Sequence, residues 1–343
     1  MSEDTTAALP EGAKRAGTIQ DRWDWVEPSV WTERMLTALE EGVKGGKWFS
    51  LIDKVYRREN LEAAWKEVAA NRGSAGVDHV TVEQFGQREG AELADLEQAL
   101  RDGRYEPHAI RRVYIPKPGS REKRPLGIPT VRDRVAEAAV RHVLEPIFER
   151  EFSRRSYGFR PGRSAKDALR EVDRELKNGG RYVAEADWKA YFDTIPHEKL
   201  MERVRERVAD GRALDLVEAF LKQGVMEGER VEASEAGTPQ GGVISPLLAN
   251  IYLNPLDHSM EQKGYAMYRY ADDLVIISRT RAEAEGALNE LRAWTETAGL
   301  TLHPEKTRIV DMNEAGAGFD FLGYHFERTR RGKLGRWPRQ KSL

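Results

Sequence analysis

Residues 265–278, YAMYRYADDLVIIS, decide the fold of this chain. Two stretches rich in aromatic and β-branched residues flank the acidic pair Asp272–Asp273, a pattern that favours a two-stranded β-hairpin with the acids at its turn. Carboxylates at the tip of an apolar hairpin are carried by a rigid backbone. The sequence therefore predicts an acidic site at the end of two strands.

A second acidic position lies 85 residues earlier. Residues 181–187, RYVAEAD, alternate between apolar and polar side chains, as a half-buried strand does, and end in Asp187. If the two strands share one sheet, Asp187 and Asp272 converge, and converging carboxylates bind hard cations such as Mg²⁺. A pair of such ions activates a nucleophile and stabilises a leaving pyrophosphate, which is the chemistry of nucleotidyl transfer. Each acid taken alone is equally compatible with an ordinary turn cap.

The rest of the chain mixes helices with extended segments. The capping pairs Ser164 with Asp167 and Thr280 with Glu283 predict the starts of two helices. Residues 111–130, RRVYIPKPGSREKRPLGIPT, predict two strands around a basic turn, because proline interrupts a helix there. We therefore expect an α+β fold, with an antiparallel sheet backed by helices, rather than a doubly wound parallel sheet.

The composition excludes several classes of protein. The 343 residues contain no cysteine and no apolar run near the roughly 20 residues that a membrane helix needs. The first residues lack the apolar segment of a secretory signal. We expect a protein of the prokaryotic cytoplasm or nucleoid that does not span a membrane and has no disulfide or thiolate metal site.

The charge of the chain is unevenly distributed although its net value is only −2. Residues 104–166 contain 16 Lys or Arg against seven Asp or Glu, and residues 328–341 contain seven basic residues and no acidic one. Local basic surface binds phosphates whatever the total charge, so a nucleic acid partner is compatible with this sequence. A solvated charged face is the alternative.

Five motifs occur in order along the chain: SYGFRPGRSAKDAL (156–169), ADWKAYFDTIPH (186–197), GTPQGGVISPLLANIYLNPLD (237–257), YRYADD (268–273) and LHPEKT (302–307). This series resembles the reverse transcriptases encoded by group II introns, and the resemblance extends from about Trp48 to Trp337. Long motifs in a fixed order are a specific signal. The resemblance implies a right-hand polymerase fold with fingers and palm, and RNA-directed DNA synthesis.

The resemblance implies a role for each acidic residue. Asp187 and Asp272 match the two principal metal ligands, Asp273 is the neighbouring acid of the same turn, and the carbonyl of Trp188 is a further ligand. Two Mg²⁺ ions are the implied cofactors, with Mn²⁺ as a substitute. Lys306, in LHPEKT, matches a lysine proposed to protonate the departing pyrophosphate, and an ordinary surface lysine is the alternative.

Four residues match positions that contact the incoming nucleotide. Lys117 and Arg124 match fingers residues that bind its triphosphate, although this chain has one residue more between them than the family pattern. Phe192 matches a steric gate, whose ring excludes a ribose 2′-hydroxyl, and packing in the core is the alternative. Gln240 matches the residue that contacts the sugar.

Three further residues are implied in binding the template and primer. Arg160 and Arg163 suit phosphates, and Gly241 allows the backbone to approach the substrate closely. The aromatic residues just before Arg160, Tyr157 and Phe159, either pack the fingers or stack on bases.

The resemblance also divides the chain. We expect an N-terminal leader and helix at residues 1–47, fingers at 48–180 with a basic hairpin at 104–134, a palm with the catalytic acids at 181–327, and a basic lead-in at 328–343 to a thumb that the chain lacks. The maturase and endonuclease domains of the family are likewise expected to be absent. A homodimer, or a thumb or maturase supplied separately, would then complete the enzyme.

The expected partners are an RNA template, a DNA or RNA primer, dNTPs and a cognate intron RNA. Two other functions stay open: an RNA-binding maturase or splicing remnant that has lost processive synthesis, and a domesticated protein, for example in defence. An RNA-synthesising polymerase is less compatible with the bulky side chain of Phe192.

Overall fold

The computed structural model describes residues 18–116, 123–228, 230–314, 316–329 and 333–339, and every element named below lies in these ranges. The helices are α1 (Ile19–Arg22), α2 (Glu33–Glu41), α3 (Ile52–Val55), α4 (Arg58–Asn71), α5 (Val82–Gln87), α6 (Glu89–Asp102), α7 (Val131–Glu149), α8 (Ala165–Lys177), α9 (Tyr191–Thr194), α10 (His197–Arg205), α11 (Gly211–Lys222), α12 (Ser245–Gln262) and α13 (Arg281–Ala298). The strands are β1 (Ile110–Pro116), β2 (Lys123–Ile128), β3 (Tyr182–Ala186), β4 (Val225–Glu227), β5 (Arg230–Glu232), β6 (Ala266–Tyr270), β7 (Asp273–Ser278), β8 (Arg308–Asp311), β9 (Gly318–Phe321), β10 (Tyr324–Arg328) and β11 (Leu334–Pro338).

Local sequence explains where the two longest predicted helices begin. The backbone N–H of Ser164 donates to Asp167 at the start of α8, and Thr280 and Glu283 form the matching box at the start of α13. Each box satisfies amide groups that a helix leaves unpaired in its first turn. Both predicted capping pairs are confirmed. Helix α13 ends at Gly299, whose φ of 74° is the left-handed conformation that glycine adopts without strain.

The predicted acidic hairpin, β6 with β7, forms one side of a four-stranded sheet whose order is β6-β7-β3-β8. All three pairings in this sheet are antiparallel. Strand β7 is buried along almost its whole length, because α12 and α13 cover one face and α8 the other. The predicted antiparallel sheet backed by helices is confirmed.

The described residues form two further sheets. The predicted basic hairpin forms β1 and β2, which continue through β4 into β5, and β1 with β4 is the parallel pair of that sheet. The third sheet, β11-β10-β9, is antiparallel and contacts the central sheet through β7 and β8.

Helix α7 lies at the centre of the molecule. Fourteen of its 19 residues are buried, and it contacts α4 and α6 on one side and α11 and α12 on the other. One continuous apolar cluster therefore extends from Val26 to Leu300 and includes both the predicted fingers and the predicted palm. A second cluster fills the other face of the central sheet, beneath α8 and the third sheet.

Within the described ranges, no helix is both long enough and apolar enough to cross a lipid bilayer.

Candidate active site

The register of β3 and β7 brings the two acidic positions together. Ala186 pairs with Leu274, so that Asp187, the next residue, lies opposite Asp273. Asp272 lies in the turn that joins β6 to β7. The prediction that the two acidic strands are neighbours in one sheet is confirmed, and the sheet fixes the backbone that carries all three carboxylates.

The three carboxylates repel one another. Burial raises the pKa of Asp272, and the negative charge of Asp187 raises it further, whereas the charge of Arg124 lowers it. Asp273 reaches solvent at the rim of the sheet, but the surrounding protein removes water from its carboxyl group, and this desolvation raises its pKa to about 7. The negative charges of Asp272 and Asp187 add to the shift. The backbone N–H of Leu322 opposes that shift by donating to Asp273 Oδ2 at 3.3 Å. Crowded carboxylates of this kind favour the binding of a cation.

Lys306 forms an ion pair with one of these acids. Its Nζ lies 2.5 Å from Asp187 Oδ2. The backbone of the same segment is held there too, because His303 N–H donates to the carbonyl oxygen of Asp187 at 2.7 Å. The Lys306 side chain is 60% exposed, so it can leave the carboxylate without a change in the backbone. Its predicted role at the pyrophosphate stays a prediction, but the lysine belongs to the acidic site.

The donor atoms suit a hard divalent cation without forming a closed cage. Carboxylate oxygens such as those of Asp187 and Asp272 are the ligands that Mg²⁺ prefers. In the part of the chain that the structure describes, no three acidic or histidine side chains are close enough to hold an ion by themselves. Trp188, whose carbonyl is a predicted ligand, follows Asp187 directly and has a buried ring whose Nε1 donates to Thr295 Oγ1 at 3.3 Å. An ion at this site would take its remaining ligands from water or substrate.

Phe192 lies in the short helix α9, one turn after Asp187. Its ring is partly buried and meets the ring of Tyr191 edge to face, with 5.3 Å between centroids. The carbonyl oxygen of Phe192 accepts a hydrogen bond from Thr238 N–H at 2.6 Å, which attaches α9 to the loop at residues 237–242. The partial exposure of the ring leaves both predictions for Phe192 open, a steric gate and core packing.

The same loop reaches β2. Gly127 N–H donates to the carbonyl oxygen of Gln240 at 2.6 Å, and a side chain at position 241 would place its Cβ 2.1 Å from the Gly127 oxygen. Only glycine fits at Gly241, whose φ is 117°. Arg124, on the same strand, is exposed and its charge acts on Asp272. Lys117 lies outside the described residues.

Arg160 does not point to solvent, in contrast to the prediction that it contacts phosphates. It is 7% exposed, its Nε and Nη2 donate to the carboxylate of Glu149, and its Nη1 donates to the carbonyl oxygens of Ser153 and Ser156. A guanidinium with these partners stabilises the bend that precedes α8. Arg163 is partly exposed, and its guanidinium lies over the Tyr157 ring at 5.4 Å. Its predicted contact with nucleic acid stays a prediction.

Comparison with known proteins places this geometry in a family. Residues 115–326 match the family described as reverse transcriptase (RNA-dependent DNA polymerase), a range that contains all three acids. The chain belongs to this family.

Two relatives are similar to this reverse transcriptase, and one of them has a name connected with group II introns. The chain is 36% identical to protein YkfC of Escherichia coli strain K12 in an alignment 321 residues long, which covers 82% of this chain and 83% of that protein. It is 40% identical to the group II intron-encoded protein LtrA of Lactococcus lactis in an alignment 216 residues long, which covers 60% of this chain but only 35% of that protein. The predicted resemblance to group II intron reverse transcriptases is thereby confirmed.

Among solved structures, telomerase from Candida albicans matches the reverse transcriptase with a TM-score of 0.54 at 14% identity, over 77% of this chain and 50% of that one. Identity at this level supports the fold alone. It confirms the right-hand polymerase fold that the motifs predicted.

Sequence reasoning missed a buried network that holds the acidic turn between β6 and β7 of the reverse transcriptase. Arg269, two residues before the turn, is fully buried, and its guanidinium donates to both carboxylate oxygens of Asp257, to Asn250 Oδ1 at 2.9 Å and to Ser156 Oγ at 2.8 Å. It also donates to the carbonyl oxygen of Ala271 at 2.8 Å, inside the turn itself. An arginine within an apolar strand was the available signal, since a buried guanidinium requires several acceptors.

A second buried group supports the loop at residues 237–242 of the reverse transcriptase. Glu137, in the middle of α7, accepts hydrogen bonds from the backbone N–H groups of Val243 and Ile244, which lead from the loop at residues 237–242 into α12. Its burial raises the pKa of the carboxyl to about 7, and the two N–H groups oppose that shift. Glu137 therefore fixes where the loop ends.

Proposed function

We propose that this reverse transcriptase extends a primer along an RNA template by adding dNTPs, with two divalent cations bound at Asp187 and Asp272. The observation that carries the proposal is the β3–β7 register, which places three mutually repelling carboxylates at one edge of a helix-backed sheet. Mg²⁺ bound there, or Mn²⁺ in its place, would activate the primer hydroxyl and neutralise charge on the leaving pyrophosphate.

The residues around the acids have roles that follow from their chemistry. Arg124 is an exposed guanidinium whose charge acts on Asp272, which suits a contact with the triphosphate. The loop that carries Gln240 is held between β2 and α9, where its side chain can contact the sugar. Its neighbour Gly241 leaves the loop backbone open to close approach.

The nucleic acid partners are an RNA template and a DNA or RNA primer. Phosphates attract basic groups, and the first basic region, at residues 104–166, surrounds the segments that lead to the acids. Arg163, which is partly exposed, is the arginine of the SYGFRPGRS motif that is better placed for this contact, because Arg160 is buried.

Primer extension on an RNA template tests the proposal. Wild-type protein with Mg²⁺ should extend the primer with dNTPs, and Asp272→Asn should reduce the rate by roughly a hundredfold or more, because loss of a metal ligand removes several kcal/mol of transition-state stabilisation. The control is Asp311→Asn, which changes an acid at the far end of β8. Equal extension by wild type and Asp272→Asn would contradict the proposal.

A second candidate function is support of intron splicing through binding of intron RNA. The relatives named for group II introns favour it, and the chain spans 35% of the length of LtrA. RNA binding alone would not need the carboxylates. If a cognate intron RNA were bound and spliced equally well with Asp272→Asn, this function would stand independently of DNA synthesis.

A further inference from the structure

We propose that Lys306 competes with the divalent cation for Asp187, and that the triphosphate of the incoming nucleotide relieves this competition by drawing the ammonium group away. The inference rests on the proposed function. It specifies the order of two steps at the site. Lys306 pairs with Asp187 before the nucleotide binds, and it pairs with a phosphate of the nucleotide afterwards.

The contact itself carries the first step of the argument. Lys306 Nζ lies 2.5 Å from Asp187 Oδ2, on an oxygen that an ion would need. Among the described residues, no other cationic side chain contacts that carboxylate. An ammonium group and a metal ion cannot occupy the same face of one carboxylate oxygen. Binding of an ion through Oδ2 therefore requires the lysine to move.

The backbone limits how the lysine can move. His303 N–H donates to the Asp187 carbonyl oxygen, and Lys306 N–H donates to the His303 carbonyl oxygen at 3.3 Å, so the LHPEKT turn stays attached to the residue that its lysine pairs with. The lysine side chain is a flexible four-carbon stem that ends in a point charge. It can therefore swing from the carboxylate to a nearby phosphate while the turn remains in place.

The second acceptor must be an anion that arrives at the same site. A nucleoside triphosphate meets this requirement, since its phosphates would lie beside the acids together with the ions that they bring. Because binding free energies are reciprocal, a triphosphate that takes up Lys306 must strengthen binding of the cation, and the cation must strengthen binding of the triphosphate. Without the lysine this part of the coupling is lost.

The chain provides a matched control. Arg308, two residues after Lys306, has a similarly exposed side chain, but its Nε lies 2.7 Å from Glu185 Oε2 rather than on Asp187. Arg308→Met removes one positive charge from the start of β8, next to the same turn, without freeing a predicted metal ligand. It separates the effect of a specific ion pair from the general effect of charge.

The experiment is a titration of the full chain with Mn²⁺, without primer or template, in which free Mn²⁺ is measured by electron paramagnetic resonance. Lys306→Met should bind Mn²⁺ about three- to tenfold more tightly than wild type, because a partly exposed ion pair no longer opposes the ion. Arg308→Met should change the affinity much less. Addition of a non-hydrolysable dNTP analogue should tighten binding more in wild type than in Lys306→Met.

Equal affinities in wild type and Lys306→Met, or an equal gain in Lys306→Met and Arg308→Met, would overturn the competition by Lys306. A different result would overturn the proposed function instead: Mn²⁺ binding to wild type that Asp272→Asn leaves unchanged. Because this readout does not depend on DNA synthesis, the two failures are distinguishable.

Discussion

Phe192 is either a steric gate or a core residue, and one substitution can distinguish these two roles. Its ring is partly buried beside Tyr191, and its backbone is tied to the loop that carries Gln240. If the ring excludes the ribose 2′-hydroxyl, Phe192→Ala should lower the preference for dNTPs over rNTPs on the order of tenfold or more. The measurement is kcat/KM for both substrates in primer extension, with Phe192→Tyr as the control that keeps the bulk. Unchanged discrimination together with lower stability would favour core packing.

Arg269 allows stability and positioning to be measured separately. Arg269→Met leaves the carboxylate of Asp257 buried without its partner, so we expect the free energy of unfolding to fall by about 3–5 kcal/mol. The double variant Arg269→Met with Asp257→Leu should recover part of that loss, since no unpaired charge remains. Its primer extension should stay low, because Ser156 and the Ala271 carbonyl still lack their donor.

Urea unfolding and single-turnover primer extension of wild type, Arg269→Met and the double variant would check this prediction. A double variant that regains both stability and rate would show that Arg269 acts through the ion pair alone.

At the scale of elements, α7 and the start of α12 are joined through a carboxyl that titrates near neutral pH. The folded protein raises the pKa of Glu137 from 4.5 to about 7, so the folded state binds this proton more tightly than the unfolded chain does. The corresponding stability is fully present below pH 4.5 and is lost as the pH rises through 7. It amounts to at most on the order of 3 kcal/mol.

Glu137→Gln should therefore flatten the decrease of the unfolding free energy between pH 5 and pH 8, since the neutral amide oxygen still accepts from Val243 and Ile244. The measurement is urea unfolding at several pH values, with Glu59→Gln on the exposed face of α4 as the control. Some slope should remain, because burial also raises the pKa of Glu145 to about 7. An unchanged slope in Glu137→Gln would contradict this account.

The same elements show what the sequence could predict. Capping pairs and the alternation of β3 are local signals, and they located α8, α13 and the acidic strands. Helix α7 has a capping residue too, since the Thr130 side chain accepts from Asp133 N–H, but the helix is buried on nearly all sides and lacks the amphipathic stripe that would predict its length. The strands β4 and β5, three residues each, are too short for any pattern.

In the candidate site, the sequence predicted that the carboxylates converge, but it did not predict which way the Arg160 side chain points. Acids at strand ends converge whenever the strands pair, so Asp187 and Asp272 followed from two segments of sequence. Whether an arginine in a basic motif points outward depends on what folds beside it. Glu149, eleven residues before Arg160, turns that side chain inward, and no periodicity indicates this.

At the scale of the whole molecule, the continuous core predicts that fingers and palm unfold together. Leu144, 1% exposed in α7, belongs to the cluster that extends through both. Leu144→Ala should lower the free energy of unfolding by about 2–5 kcal/mol. It should also lower by the same amount the midpoints of the thermal transitions followed by circular dichroism and by tryptophan fluorescence. Two transitions that separate in the variant would indicate independent domains. The comparison is Val231→Ala, at an exposed position in β5.

Because α7 supplies apolar surface to elements on both sides of residue 180, neither half of the chain can complete its own interior. A gene divided between residues 180 and 181 should yield two fragments that aggregate when produced singly and assemble when produced together. The predicted border between fingers and palm is thus a usable point for fragment complementation. DNA synthesis would then report that two fusion partners have met.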